Sequence, residues 1–444
     1  MAGAGPRPLP GGRTLALANL AHQDAVAALG GPEWLRRRRL DALERFRAAP
    51  LPTEAEEVWR YSRIDSLDLD AYRLAGPGGP EPGGWPSPLA GALEAAGPPA
   101  GWALSRGAGP VEARLEGPAP GLVLGGASSG GRAEEVAREH LGAVDRAPDC
   151  LVELNSALVG DVAVVEVAPG VRVGRPVVVL DWVPAGGQAS FPRTLVRLAE
   201  GSSACVLEVV ASKEGPLFCA PVVELEVAEG AHLDYLCVQL LSAQAFQVAY
   251  QASQVGAGGS LVSFNLALGG DYARVRTDSV LSGAQAASRL LAAYFGDGTQ
   301  MHDFRTLQDH AAPRTTSDLL FKGAVKDCAH SVYSGMIRVH KGARGTNAFQ
   351  TNRNLVLSEG ARADSVPNLD IEENDVRCSH ASAVGPLDEE QLYYLHTRGI
   401  PDEAARRLVV SGFFSELIAG LPLEPAHAWL RSLVAAKAGP GGYG

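Results

Sequence analysis

A cysteine and a histidine stand two residues apart at Cys378 and His380, at the end of a region rich in β-branched residues. On a strand, residues i and i+2 project from the same face, so a thiol and an imidazole would lie side by side. Thiolate and imidazole both bind iron and zinc, and a protonated imidazole lowers the pKa of a neighbouring thiol. The pair therefore predicts sulfur or metal chemistry. The alternative is a small buried cysteine beside an unrelated surface histidine.

A second pair of the same kind occurs at Cys328 and His330, 50 residues earlier. In a solenoid, that separation could be a whole number of coils, which would align the two pairs into one site. Without such a site, Cys328 is predicted to be a core residue. Six of the ten histidines fall in this part of the chain, at positions 302, 310, 330, 340, 380 and 396. Of these, His302, His310 and His340 are predicted to be polar or interface residues.

Other chemical signatures are weak or missing. The acids Glu372, Glu373 and Asp375 predict a solvated turn, with a contribution to iron binding as the alternative. There is no G-x-x-x-x-G-K-[ST] motif for ATP phosphates, and no G-x-G-x-x-G motif stands between a predicted strand and a predicted helix, where it would bind a dinucleotide. Residues 126–130 match the G-x-S-x-G pattern of hydrolases, but that fold needs helices alternating with strands, and helical patterns are almost absent after residue 150.

Composition restricts the class of protein. The 444 residues are 46% hydrophobic and 20% charged, as in soluble globular proteins, and the net charge is -11. The only basic run, residues 36–39, is predicted to be the solvated side of a helix, so nucleic acid is not an expected partner. No apolar stretch reaches the length of about 20 residues that spans a bilayer. The six cysteines lack a C-x-x-C spacing, which favours reduced thiols, mostly in packing roles, and a cytoplasmic location.

The N-terminal part, residues 1–147, is predicted to be a helical and Gly/Pro-rich region. Residues 1–13 are predicted to be disordered, helical periodicity runs from Leu15 to Phe46, and residues 53–56 form a capping box that opens another helical turn. Residues 76–131 are dense in glycine and proline, which indicates loops around short elements. A short helix is predicted over 133–141.

From Leu151 onward, short β-branched runs separated by glycine turns predict strands, and residues 148–386 are predicted to be the core domain. Similar turns recur at Glu200-Gly201-Ser202, Glu229-Gly230-Ala231 and Glu359-Gly360-Ala361, with a looser copy at residues 341–343. Their spacing, about 18 to 32 residues, is typical of a solenoid, and strand-rich coils predict a β-helix of stacked parallel strands. The alternative is a β-sandwich with hairpin turns.

Helical patterns return after Gly385, and residues 387–444 are predicted to form a C-terminal helical domain. Asp388 is predicted to cap a helix that ends before Gly399, and Pro401 to start a second helix with two adjacent apolar rows. Together the two rows form an apolar surface wider than one helix contact needs. Part of this surface is therefore predicted to bind a partner protein. The alternative is that the helices only cover their own domain. A third helix is predicted over 425–436, before a disordered tail.

Several segments closely resemble the SufB/SufD family, the scaffold proteins of the SUF iron-sulfur cluster assembly system. The resemblance covers about residues 150–420, and Cys378-Ser379-His380 resembles the SufD branch more than the SufB branch. The sequence departs from the family pattern at Ala381, where glycine is expected, and at the inserted Val58. The segments that carry the resemblance are Glu57-Val58-Trp59-Arg60-Tyr61, Gly345-Thr346-Asn347-Ala348, Gln350-Thr351-Asn352-Arg353-Asn354-Leu355, Pro367-Asn368-Leu369-Asp370-Ile371, and residues 377–400.

The resemblance implies a mainly β fold, a right-handed parallel β-helix flanked by N-terminal and C-terminal helical domains. It implies a scaffold that pairs with a SufB-like protein, docks a SufC-like ABC ATPase and has no catalytic activity of its own. A homodimer is a further expectation for the isolated chain. A transient iron-sulfur cluster would form at the SufB-facing interface, held in part by Cys378 and His380, with none tightly bound to the isolated chain. His380 is the better candidate for cluster assembly, while Cys378 would gate or relay sulfur.

Two other functions stay open, a SufB-like role as primary sulfur acceptor and a stand-alone β-helix enzyme. The scaffold hypothesis expects stable co-purification with an ATPase, whereas the enzyme hypothesis expects activity from the isolated chain. The residues predicted to dock the ATPase are Leu392, Leu395, Val409, Val410, Phe413, Phe414 and Leu417.

Overall fold

The strands of this chain form two sheets that face each other, and each coil gives one strand to each sheet. The computed structural model describes residues 20, 23–78, 84–145, 148–184 and 186–439. The strands are β1 Arg73–Leu74, β2 Gly101–Arg106, β3 Glu112–Leu115, β4 Leu122–Gly126, β5 Ala163–Val167, β6 Val177–Val183, β7 Gln188–Ser190, β8 Arg193–Leu198, β9 Ser203–Ser212, β10 Leu217–Cys219, β11 Val222–Val227, β12 His232–Leu240, β13 Ala245–Val255, β14 Ser260–Ala267, β15 Tyr272–Leu281, β16 Ala287–Gly296, β17 Met301–His310, β18 Thr316–Val325, β19 His330–Val339, β20 Thr346–Val356, β21 Arg362–Ile371 and β22 Val376–Gly385.

Helices lie on both sides of this strand region in the sequence. The α-helices are α1 Gln23–Ala28, α2 Glu33–Ala48, α3 Ser87–Ala96, α4 Gly131–His140, α5 Cys150–Leu158, α6 Glu389–Thr397, α7 Asp402–Ala419 and α8 His427–Ala438. Short 3-10 helices cover Glu57–Trp59, Ile64–Ser66, Leu69–Ala71 and Glu424–Ala426. Across the described ranges, none of these helices combines the length and apolar character needed to cross a membrane.

The coils stack as a parallel β-solenoid of about 8 turns. Sheet A follows the order β21-β19-β17-β15-β13-β11-β8-β5-β4, and sheet B the order β22-β20-β18-β16-β14-β12-β9-β6-β2-β3. Strands of successive coils pair in parallel, as in the register of Ser203 with His232 and of His232 with Ser260. A sandwich built of hairpins would pair consecutive strands antiparallel. The predicted β-helix is therefore confirmed, and the sandwich alternative is wrong.

Glycine turns set the corners of the coils, as the sequence predicted. Gly201 and Gly230 have φ angles of 65° and 62°, which side chains with a Cβ rarely adopt. The Gly201 N–H donates to the Glu229 carbonyl at 2.9 Å, and the Gly230 N–H donates to the Ala257 carbonyl at 2.9 Å. Because each corner bonds to the corner of the next coil, the turns themselves form a ladder along the solenoid.

Side chains between the two sheets fill a space that we call the lumen, and helices cover the outer faces. The N-terminal helices and α5 pack on sheet A through a cluster that includes Phe46, Leu154 and Phe218. On sheet B, α3, α7 and α8 pack through a cluster that includes Phe264 and Phe414. Each sheet therefore has an apolar cluster on its outer face that is separate from the interior.

The N-terminal part contributes more to the sheets than the sequence predicted. Strand β2 pairs parallel with β6, and β4 pairs antiparallel with β5, so the Gly/Pro-rich segment adds strands rather than only loops. The predicted β-structure from Leu151 is wrong at its start, since α5 occupies Cys150–Leu158 and Asp149 caps it. The predicted helix over 133–141 is confirmed by α4. Residues 1–13 lie outside the described residues.

Two local predictions in this part have mixed outcomes. The Thr53 N–H donates to Glu56 Oε1 at 3.0 Å, which is one of the two hydrogen bonds of a capping box, and only a 3-10 helix follows it. The basic run 36–39 is not wholly solvated, because Arg39 is buried and donates to the carbonyls of Val159 and Gly30. Arg39 ties α2 to the solenoid, which periodicity alone could not predict.

The C-terminal helices begin and end where the sequence predicted. Asp388 accepts from the backbone N–H groups of Glu390 and Gln391 at the start of α6, and Gly399 adopts a φ of 79° after its end. Pro401 is the N-cap residue of α7, and the third helix is α8. The end of the predicted tail, residues 440–444, lies outside the described residues.

Candidate functional site

The last coil of the solenoid, β21 with β22, ends both sheets, and we call this coil the rim. Within the described residues, β21 pairs only with β19 and β22 only with β20, so each leaves one edge open. Unpaired edges of this length are rare because they template pairing with another chain. Large apolar side chains are exposed at or beside the rim, namely Phe349, Val366, Leu369, Ile371 and Val384.

Cys378 and His380 both lie on β22 and face the lumen. His380 is in register with Gln350 of β20, and Cys378 with Ala348. Gln350 and Ala348 are buried in the lumen, and in-register residues of neighbouring strands share a face. The predicted same-face arrangement of the thiol and the imidazole is therefore present. Because no further coil covers the rim, His380 stays exposed and Cys378 is half-buried.

The thiol of Cys378 is not activated in the way the sequence suggested. It packs beside an apolar group of buried residues that includes Ile337, Val339 and Ala348. Burial raises the pKa of Cys378, although a hydrogen bond with the Ala348 backbone opposes the rise. The expectation of a lowered pKa is wrong, because desolvation of the thiolate is the largest influence on this pKa. At neutral pH the group is a thiol until a metal ion or a base removes its proton.

The second pair does not join the first. Cys328 lies in the turn before β19 and is exposed, so the prediction of a core residue is wrong. His330 Nε2 lies 2.7 Å from Asp364 Oδ2 on the outer face of sheet A. A coil contains ~30 residues, so a separation of 50 is not a whole number of coils. Cys328 and Cys378 lie near opposite ends of the strands, roughly 25 Å apart along them.

Of His302, His310 and His340, the first two are interior residues. Burial lowers the pKa of His302 to about 3 and that of His310 to about 4, so both are neutral. The ring nitrogens of His310 lie 2.7 Å from Thr315 Oγ1 and 2.9 Å from Ser317 Oγ. His340 instead pairs with Asp309 at 2.6 Å. The prediction of polar or interface positions is therefore wrong for His302 and His310, because strand alternation points them into the lumen.

Acidic residues near the rim do not complete a metal site. Glu372, Glu373 and Asp375 form the turn between β21 and β22, and Glu373 accepts from the backbone N–H of Gly342 at 3.0 Å, which confirms a solvated turn. In the part of the chain that the structure describes, no three His, Cys, Asp or Glu side chains are grouped to hold a metal ion. Cys378 and His380 are thus two potential ligands of a site that needs further ligands from elsewhere.

A comparison with known proteins identifies the family. The model for the SufBD core domain of the SUF system of FeS cluster assembly matches residues 182–413, over half of the chain. This chain belongs to the SufBD family. A SufBD family protein of Mycobacterium tuberculosis is 38% identical over 271 residues, 59% of this chain and 68% of that relative.

Two relatives carry the name SufD and indicate the branch. SufD of Bacillus subtilis is 32% identical over 290 residues, 65% of this chain and 66% of that protein. SufD of Escherichia coli is 28% identical over 302 residues, 66% of this chain and 70% of that protein. The chain is therefore a SufBD protein of the SufD branch, as its Cys378-Ser379-His380 segment and its Glu57-Val58-Trp59-Arg60-Tyr61 segment predicted.

In this SufBD chain the C-terminal helices use much of their apolar surface internally. Of the seven residues predicted to dock an ATPase, four are buried in the core that α6 and α7 form with sheet B: Leu392, Val410, Phe414 and Leu417. The other three, Leu395, Val409 and Phe413, are half-buried and line one groove of about 870 Å³. Tyr394 and the exposed Leu408 line the same groove. The apolar surface of these helices that is available for docking is therefore smaller than the sequence predicted from the two apolar rows.

Lys322 lies at the base of this groove, and sequence reasoning did not select it. The side chain projects from the outer face of β18, is fully buried, and donates to the Phe413 carbonyl at 2.9 Å and to Glu416 Oε2 at 2.5 Å. The Glu416 interaction lowers the pKa of that carboxyl. In the sequence, the position of Lys322 in an otherwise apolar part of a strand was the feature that could have indicated this buried contact. Lys322 fastens α7 to sheet B two strands away from His380.

The remaining cysteines fit their predicted packing roles. Cys150 and Cys219 are buried, and burial raises the pKa of both thiols. Cys205 and Cys237 pack against clusters of the solenoid. All six cysteines of the chain are free. Cys328 is thus the exposed thiol of the chain, and Cys378 lies half-buried at the rim.

Proposed function

We propose that this protein is a SufD-like scaffold subunit, which pairs with a SufB-like subunit and a SufC-like ABC ATPase to build and transfer nascent iron-sulfur clusters. The observation that carries the proposal is the uncapped rim, which presents Cys378 and His380 at an open end of a SufBD solenoid. On this proposal the chain works in the cytoplasm, where thiols stay reduced.

The SufB-like partner would add its strands to the open edges of β21 and β22. Pairing of this kind satisfies the unpaired backbone groups and covers the apolar side chains at the rim. Leu369 and Ile371 face the lumen there, and only a further coil would cover them. The same surface would support a homodimer of the isolated chain. Partner binding therefore closes a lumen that is otherwise open to water.

The nascent cluster is cargo at that interface rather than a resident cofactor. His380 would bind iron through its imidazole. Cys378 would lose its proton on binding metal, or would take sulfane sulfur from a persulfide of the partner, whose thiol is then released. Two ligands cannot complete a cluster site, so the partner would supply the others, and the isolated chain would hold no cluster tightly. The raised pKa of Cys378 makes it a poor nucleophile, which disfavours the role of primary sulfur acceptor.

The ATPase would dock at the groove of Leu395, Val409 and Phe413. This groove lies between α6, α7 and the outer face of sheet B, where Lys322 holds α7 to β18. A displacement of α7 would be transmitted through Lys322 to β18, and from there through β20 to β22. Sheets deform little under such a load, so motion at the helices would reach the rim.

The test isolates the tagged protein from its native cytosol and then compares two variants of the complex. We expect an ABC ATPase and a longer homologous protein to co-purify. His380→Ala should leave the subunits assembled but reduce cluster formation by the reconstituted complex by at least roughly tenfold. Ser379→Ala is the matched control, since Ser379 faces away from the lumen. Normal cluster yield in His380→Ala, or ATP hydrolysis by the isolated chain, would refute the proposal.

A further inference from the structure

Gln350 has a buried side-chain amide without a partner. It lies on the lumen face of β20 and is 1% exposed. Among the described residues, neither Nε2 nor Oε1 of this amide has a hydrogen-bond partner. Burying an amide without hydrogen bonds destabilises the folded chain, since the group has lost its water. Such a group in a folded protein calls for a role or for a ligand.

The next two polar side chains on the lumen face of β20, Asn352 and Asn354, have hydrogen-bond partners, whereas Gln350 has none. Asn352 Nδ2 donates to the Tyr294 hydroxyl at 3.0 Å, and Asn354 Nδ2 donates to Asn352 Oδ1 at 2.7 Å. The Tyr294 hydroxyl donates to Asn354 Oδ1 at 2.8 Å. The next two lumen positions of β20 thus form a closed network. On β20, the unpaired amide is therefore at the lumen position in register with His380.

A glycine leaves room around this amide. A Cβ atom at Gly335 of β19 would lie 2.6 Å from Gln350 Oε1 and 2.2 Å from the Tyr333 hydroxyl. Every other residue type would therefore press against both polar groups. The Tyr333 hydroxyl is fixed by Thr306 Oγ1 at 3.1 Å. Gly335 thus preserves a space in which a polar amide and a fixed phenol stand close together beneath the rim.

The amide lies directly below the cluster-binding pair. Gln350 and His380 are in register on adjacent strands, so their backbones are about 4.8 Å apart and their side chains point the same way. Ala348, the partner of Cys378, is two residues before Gln350 on the same face. The side chain of Gln350 is long enough to reach a group held between Cys378 and His380. No coil beyond the rim separates that group from the amide.

We propose that Gln350 is a further binding residue for the iron-sulfur species at the rim. Its amide N–H donates to a sulfide or thiolate sulfur of the species held by His380. Hydrogen bonds to sulfur orient such species and tune their charge, and a buried amide offers one without adding charge of its own. The inference rests on the proposed function, because it assumes that an iron-sulfur species binds at His380.

The test replaces Gln350 by methionine, which has similar length and volume but no amide. Removing the unpaired amide should raise the Tm of the isolated chain by ~2 °C or more. In the co-purified complex supplied anaerobically with Fe³⁺ and sulfide, cluster yield should fall roughly tenfold, read from visible absorption and, after reduction with dithionite, from electron paramagnetic resonance. A variant that is more stable but less active separates binding from folding.

Gln308→Met is the matched control. Gln308 is also buried in the lumen with both amide atoms unpaired, but it lies on β17, one coil further from the rim. Its replacement should raise the Tm in the same way and leave the cluster yield unchanged. Equal loss of yield in both variants would mean a general disturbance of the lumen and would overturn the inference.

The remaining outcomes separate this inference from the proposed function. A normal cluster yield or a lowered Tm in Gln350→Met, together with loss of yield in His380→Ala, overturns the role of Gln350 alone. A normal yield in His380→Ala overturns the proposed function and the inference with it. Loss of yield in both His380→Ala and Gln350→Met, with a raised Tm only in the latter, supports both.

Discussion

Two carboxyl groups share the lumen far from the rim. Asp181 on β6 and Glu208 on β9 are both buried, and burial raises the pKa of Asp181 to about 6 and that of Glu208 well above its usual range. The Tyr235 hydroxyl donates to Glu208 Oε2 at 2.9 Å, and Ser105 donates to Asp181. Because two adjacent carboxylates repel each other, at least one of the pair keeps its proton near neutral pH.

This pair should make stability depend on pH. Both pKa values are higher in the folded than in the unfolded chain, so the folded chain binds more protons and loses stability as pH rises, with the contribution of Asp181 lost between about 4 and 6. Asp181→Asn cannot ionise and keeps an acceptor for Ser105. We expect it to be more stable than the wild type at pH 8, by on the order of 1–3 kcal/mol, with little difference at pH 4.

Urea unfolding at both pH values measures this difference, and the exposed Asp318 supplies the control. Asp318→Asn should leave the change in unfolding free energy between pH 4 and pH 8 as it is in the wild type. A wild-type pH dependence in Asp181→Asn would mean that the pair is not the source of the effect.

At the scale of single residues, the sequence predicted the strand face on which a side chain lies better than it predicted how exposed that side chain is. The two-residue spacing of Cys378 and His380 was sufficient to place both on one face, because strand alternation is local. Exposure depends on distant parts of the chain. Cys328 is exposed because it falls in a turn, and Arg39 is buried because its guanidinium meets carbonyls from residues 159 and 160. The neutral state of Cys378 likewise depends on residues of β19 that local sequence cannot identify.

A segment near the N-terminus, residues 57–63, lies across the outer face of sheet A as a strap. Arg274 Nη2 donates to the Val58 carbonyl at 2.7 Å, and Arg305 Nη2 donates to the Arg60 carbonyl at 2.6 Å. The Arg274 guanidinium also lies 3.8 Å from the centre of the Trp59 ring. The strap carries the Trp-Arg-Tyr motif that resembles the family pattern, and arginines of β15 and β17 hold it.

Asp303 controls both arginines, so its removal should release the strap. It is fully buried and accepts from Arg274 at 2.7 Å, from Arg305 at 2.6 Å and from the Tyr272 hydroxyl at 2.9 Å. Asp303→Ala leaves two cations without their counter-ion, which should lower the free energy of unfolding by about 3–5 kcal/mol. Limited proteolysis should then cleave residues 57–63 faster than in the wild type.

An exposed pair of the same type provides the comparison. Arg338 and Asp370 lie 3.1 Å apart on the outer face of sheet A, and both side chains are more than 40% exposed. Asp370→Ala should cost less than about 1 kcal/mol, because water screens the pair. If both substitutions have the same cost, the buried network does not hold the strap.

At the scale of helices and strands, the sequence predicted those elements that are marked by repeated turn residues or by helix-capping residues. The turn glycines predicted the coils, and Asp388 with Gly399 predicted the limits of α6. Helix α5 was missed because its short apolar run, Cys150–Leu158, is ambiguous between helix and strand, and only its tertiary packing decides. The strands β2 and β4 were missed because glycine and proline surround them, although both extend sheets whose other strands follow later in the sequence.

At the scale of the whole molecule, the two ends of the solenoid differ. At the N-terminal end, β3 and β4 pair antiparallel with β2 and β5, which stops the parallel stacking. At the rim no such strand reverses the direction, and both edge strands keep the parallel register of the coils before them. Both ends of a solenoid need a capping element, and in the described residues this chain caps only its N-terminal end.

This asymmetry predicts where a partner subunit binds. Ile371 at the rim and Leu115 on β3 at the opposite end are both 41% exposed, so they form a matched pair. Ile371→Lys would place a charge where the next coil of the proposed partner would pack, and we expect it to weaken association with the proposed SufB-like subunit at least tenfold, about 1.4 kcal/mol. Leu115→Lys should leave the affinity unchanged, and both variants should keep the wild-type Tm within a few degrees.

Calorimetric titration of the purified subunits measures both affinities, and size-exclusion chromatography of the isolated variants shows whether a homodimer uses the same surface. Loss of affinity in Leu115→Lys alone would place the partner at the closed end. That result would leave Cys378 and His380 facing solvent in the complex, since the rim would stay uncovered. An interface at the rim is the arrangement in which strand pairing, burial of Ile371 and completion of the cluster ligands all follow from one contact.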